Sequence, residues 1–72
     1  MQVKRALNPG AVRDNEPWLV IVCNAHGCRV LESHFIEAAA DKAAIIVSKH
    51  DLHFGHRNQY VVRHRSEVEI IA

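Results

Sequence analysis

The sequence predicts a small α+β domain: an antiparallel sheet in the order β-β-α-β-β, with an N-terminal strand or arm, and one helix packed on one face. Three observations predict it. Two apolar, β-branched runs flank a turn at Asn24–Gly27. The stretch from about His34 to His50 repeats apolar residues at helical spacing. Two short β-branched segments, Gln59–His64 and Val68–Ile71, close the chain.

The 72 residues make one domain, with residues 1–17 read as an arm or strand plus loop. Apolar residues make up 49% and charged residues 24%, the composition of a folded chain. A chain this short draws only about 3–5 kcal/mol from one core, so a second copy or a partner is a natural source of added stability. The net charge of +1 gives no global pull on nucleic acid or membrane. The apolar run Trp18–Cys23 is too short to span a bilayer, and no apolar stretch follows Lys4 and Arg5 as a secretory signal would require. These features predict a cytoplasmic protein, in which Cys23 and Cys28 are reduced packing groups, with a disulfide across the hairpin as the alternative that their opposition allows.

Met1–Leu7 reads as a short strand or arm, Asn8-Pro9-Gly10 as a turn, and the stretch to Pro17 as a loop. Trp18–Cys23 is a strand, and Cys28–Glu32 is its partner. The turn between them sets Cys23 against Cys28, Ile21 against Val30 and Leu19 against Glu32. Ser33 suits the N-cap of the helix. Phe35, Ile36, Ala39, Ala40, Ala43, Ile46 and Val47 form its apolar face, and Ile45 stands alone among the polar positions. Leu52–Asn58 is an irregular connection. Val62 is expected to pair with Val68 and Ile70, placing Arg63 beside Glu67 and Glu69.

The first hairpin lacks the polar alternation of a sheet with one wet face. Leu19, Ile21, Cys23, Cys28 and Val30 form one apolar side; Trp18, Val20, Val22 and Leu31, joined by Val61, form the other. One helix covers one of these sides. The other then needs the N-terminal segment, a second copy or a foreign partner. Trp18, Val20, Val22, Leu31 and Val61, rimmed by Arg29 and Arg63, have the composition of a protein-binding surface.

Two alternatives use other residues. Lys49, Arg57, Arg63 and Arg65 interleave with Phe54 and Tyr60, a pattern suited to phosphate neutralisation and base stacking. Cys23, His26 and Cys28 offer thiolate and imidazole to zinc, although their spacing departs from that of structural knuckles. No nucleophile elbow, metalloprotease, P-loop or dinucleotide motif occurs, so the expectation is a binding protein rather than an enzyme, with no cofactor and no small-molecule substrate.

The segment Glu32-Ser33-His34-Phe35-Ile36-Glu37-Ala38-Ala39-Ala40-Asp41-Lys42-Ala43 enters a helix from a strand, and Gln59-Tyr60-Val61-Val62 returns to the sheet. This layout resembles that of short phage and mobile-element accessory proteins, including some anti-CRISPR proteins of similar size. The resemblance covers about Trp18 to Ala72 as a pattern, without a diagnostic motif. It implies a non-enzymatic inhibitor that docks on a host protein complex through a basic or apolar surface.

Overall fold

The computed structural model describes residues 3–8, 10, 12–53, 55 and 58–71. Phe54, His56 and Arg57 from the basic region lie outside the described residues. The elements are β1 (Arg5–Leu7), β2 (Trp18–Asn24), β3 (Gly27–His34), α1 (Glu37–His53), β4 (Gln59–His64), a 3-10 turn (Arg65–Glu67) and β5 (Glu69–Ile71). The class is α+β, with one helix packed against one five-stranded sheet.

The strand order is β4-β2-β3-β1-β5, and the sheet is mixed rather than antiparallel throughout. β2 runs antiparallel to β3 and β4, whereas β1 is parallel to both β3 and β5. The expected pairing of Val62 with Val68 and Ile70 does not occur. β4 pairs with β2, and β5 pairs with β1 at the far edge. The directions explain why: β4 and β5 run in the same sense, which excludes a hairpin between them. Only residues 65–68 separate them, so β5 continues the path of β4 onto the opposite edge. The sheet must coil for this to work, and Val61 from one edge and Ile70 from the other pack against one core. Glu69 accordingly pairs with Arg5 of β1 at 3.1 Å rather than with Arg63.

The β2–β3 hairpin keeps the expected register near its turn, with Cys23 opposite Cys28 and Ile21 opposite Val30. Asn24 Oδ1 accepts the His26 N–H at 2.8 Å, and Gly27 takes φ of 114°, a conformation that disfavours residues with a Cβ. A bulge between Val20 and Ile21 then shifts the register, leaving Leu31 as the extra residue. Leu19 therefore opposes Ser33, not Glu32, and the strand continues to His34. Ser33 is a strand residue rather than a helix cap. Its hydroxyl donates to Glu16 at 3.2 Å and accepts the Arg13 N–H at 3.2 Å, tying the 12–17 loop to the sheet.

Two layers cover the central strand. On one face Leu19, Ile21, Cys23 and Val30 pack with Val3, Ala6 and Val68 from the chain ends. On the other, Val20 and Val22 lie under α1, whose buried contact residue is Ala40. Ala40, Ala43, Ala44 and Val47 turn inward, and the small side chains let the helix approach closely. The helix starts three residues later than the expected His34, so Phe35 and Ile36 precede it and are exposed, as is Ile46.

Cys23 and Cys28 form a disulfide, with Cα atoms 4.1 Å apart. This replaces the expected pair of thiols. The register supplies the reason: directly opposed residues in a non-hydrogen-bonded pair bring their side chains closest. In the chain-entropy account, a bridge with sequence separation 5 contributes about 2 kcal/mol. Urea denaturation should show the reduced chain folded but less stable by about that amount. A reduced chain that is unfolded in buffer, or equal in stability to the oxidised one, would contradict this.

Candidate functional site

The residues nominated from the sequence do not form one surface. Val20 and Val22 are 0% and 3% exposed, enclosed between the strands and α1. Val61 pairs with Ile21 and packs on the core of the opposite face, not beside Val20. Trp18 is half-buried and meets the His64 ring edge-on at 5.0 Å between centroids. Leu31 and Arg29 are exposed on β3, on the side of β2 away from β4. The helix therefore fills the place that a partner was expected to take, and the chain ends fill the other.

The basic set is dispersed in the same way. Lys49 is exposed on α1. Arg63 Nη1 donates to the Val62 carbonyl at 2.7 Å. Arg65 donates to the carbonyls of Asp14 and Arg13 at 3.1 and 2.8 Å and holds the 12–17 loop. Arg57 lies outside the described residues. Of the zinc alternative, His26 is exposed at the hairpin tip, while the bond between Cys23 and Cys28 leaves neither as a thiolate ligand. No group of three or more metal-ligating side chains assembles among the described residues. No helix among them is long and apolar enough to cross a membrane.

The structure brings a different set together along β4. This strand forms one edge of the sheet, and α1 runs beside it. A shallow open groove between them is lined by Asp41, Ala44, Ile45, Tyr60, Val62 and Arg63. Ile45 is 56% exposed and Leu52, two turns further along the same flank, is 75% exposed. Ile45 is the apolar residue that stood alone among polar positions in the sequence.

The directions of the β4 main-chain groups follow from one hydrogen bond. The Arg65 N–H donates to the Pro17 carbonyl at 2.7 Å, so this residue faces β2. Alternation then turns the groups of Arg63, Val61 and Gln59 toward β2 and those of His64, Val62 and Tyr60 away from the sheet. Two of the outward groups are met by the chain's own side chains. Val62 C=O accepts from Arg63, and the His64 N–H donates to Glu67 Oε1 at 3.1 Å. Charged side chains folded over an edge are a usual guard against uncontrolled strand pairing.

A polar chain fixes the groove at its other end. Asn24 Nδ2 donates to Asn58 Oδ1 at 3.3 Å, and Asn58 Nδ2 donates to Asp51 Oδ2 at 3.0 Å. The Tyr60 hydroxyl donates to the same carboxylate oxygen. The hairpin tip, the end of α1 and the start of β4 are thereby linked. Asp51 was not singled out in the sequence, although it stands at an inward position of α1 beside Ala40, Ala44 and Val47. Comparison with protein-family models, curated proteins and solved structures finds no match for this chain.

Burial raises the Tyr60 pKa above 10.0, and the hydrogen bond to Asp51 adds to it. The protonated phenol is the form the fold favours. Its contribution is fully present below the ordinary tyrosine value and is lost as pH rises through the higher folded value. Tyr60 is the one tyrosine of the chain, so near-ultraviolet titration reads it directly. Urea midpoints should fall in the alkaline range for the wild type and much less for Tyr60→Phe. Parallel falls in the two proteins would contradict this.

Proposed function

We propose that this chain is a small protein-binding module that engages its partner through the outer edge of β4 and the adjoining flank of α1. The carrying observation is that an edge strand and the exposed side chains Ile45 and Leu52 occur on one side of the molecule. Outward main-chain groups allow strand addition, and an apolar flank beside them supplies burial. Protein recognition, expected from the sequence, is thus kept and relocated. The Val20–Val22 surface cannot serve, because α1 already buries it.

An inhibitor docking on a host complex, as the layout resemblance implies, and a homodimer are both uses of such a surface. Neither needs a catalytic group. A cytoplasmic setting would hold Cys23 and Cys28 as thiols. The β4 edge does not depend on their bond, since the cystine lies in the β2–β3 hairpin.

A photo-crosslinking residue in place of Ile45 tests the reading against the same residue in place of His26. The position-45 probe should form a covalent adduct with protein, and the position-26 probe should not. Adducts from both sites alike, none from position 45, or adducts removed by nuclease would overturn it.

A further inference from the structure

Resting on that reading, we infer that the occupant of the β4 edge is a second copy of this chain, joined about a two-fold axis through Val62. Two registers are compatible under this arrangement: one in the strand and one in the helix.

The strand register comes from the outward groups. An axis normal to the sheet makes the two β4 strands antiparallel and keeps both helices on one face. Opposed residues in such a pair share a face and a hydrogen-bonding sense. Because Tyr60, Val62 and His64 present their main-chain groups outward, an axis through Val62 joins Val62 to itself and Tyr60 to His64 of the second copy. The carbonyl of Val62 keeps one lone pair beyond that used by Arg63, and the His64 N–H passes from Glu67 to the second copy.

The helix register comes from spacing. Ala38, Ile45 and Leu52 recur every seventh position and form one stripe, with Asp41 and Lys49 on either side of it. Ile45 lines the same groove as Tyr60 and Val62, and the proposal places it at the axis. Two copies of α1 related by that axis run antiparallel with Ile45 against Ile45. This register sets the small Ala38 level with the large Leu52 of the second copy, and Asp41 level with Lys49 of the second copy. Apolar size and charge are therefore both complementary under the operation that the strand requires. A foreign strand would account for the open edge, but it gives no reason for a helix flank that complements itself.

The test is sedimentation equilibrium of the purified chain and two charge swaps. The wild type should sediment at twice the chain mass. Asp41→Lys and Lys49→Asp each place like charges across the axis twice, and each should weaken the dimer by about tenfold or more. Mixed together, the two variants restore both opposite-charge pairs, so the mixture should associate as a heterodimer. Both positions are exposed, so folding is retained and circular dichroism confirms it. A wild-type monomer, or variants that dimerise as well as the wild type, would overturn the inference. If the position-45 probe still captures a different protein, the binding reading stands and only self-pairing fails. If the probe captures nothing, both fall.

Discussion

A central strand that is apolar on both faces is the constraint on which this structure depends. Val20 and Val22 point one way, and Leu19, Ile21 and Cys23 the other, all buried. A single helix on a flat sheet would leave one set in water. The chain resolves this by coiling the sheet. Val3, Ala6 and Val68 close one side while α1 closes the other. The parallel placement of β1 and the position of β5 at the far edge follow from the same need. They carry the chain ends over the face that the helix cannot reach.

With both faces of β2 enclosed, the surface left for recognition is lateral. β4 covers one flank of β2 and thereby becomes an edge itself. Polar contacts tie its start to α1. Asp51 receives both Tyr60 and Asn58, and Asn58 reaches Asn24 at the hairpin tip. Small inward side chains on α1 bring the helix close to the sheet and leave its bulkier residues, Ile45, Ile46 and Leu52, on the outside. The groove beside β4 is thus a consequence of how the core is closed. Arg63 and Glu67 folded onto outward groups of β4 show an edge that is guarded rather than covered.

Local signals in the sequence carried far, and long-range ones did not. The hairpin register at Cys23–Cys28 followed from the turn residues, and the limits of β4 followed from its β-branched run. The apolar character of both hairpin faces correctly implied a second cover. The N-terminal segment was one of the covers it allowed, and Val3 packs there. The share taken by Val68 was hidden, because the four-residue link between β4 and β5 reads as a hairpin unless strand direction is known. The bulge at Leu31 has no glycine to announce it, and it displaced Ser33 from its expected capping role. Ala40, Ala43 and Val47 of the expected helix face do turn inward, whereas Phe35, Ile36 and Ile46, which hydrophobicity puts on the same face, are exposed. Asp51 could have been found as a polar residue on an otherwise apolar helix face.

On the proposal made above, the outer edge of β4 is a binding surface occupied by a second copy. Amide hydrogen exchange at Val62, followed as protein concentration rises, tests it most directly. Val62 points its N–H away from the sheet, whereas the alternation turns the Val61 N–H toward β2. Protection of Val62 should grow with concentration while protection of Val61 stays constant. Exchange at Val62 that is fast and independent of concentration would contradict it.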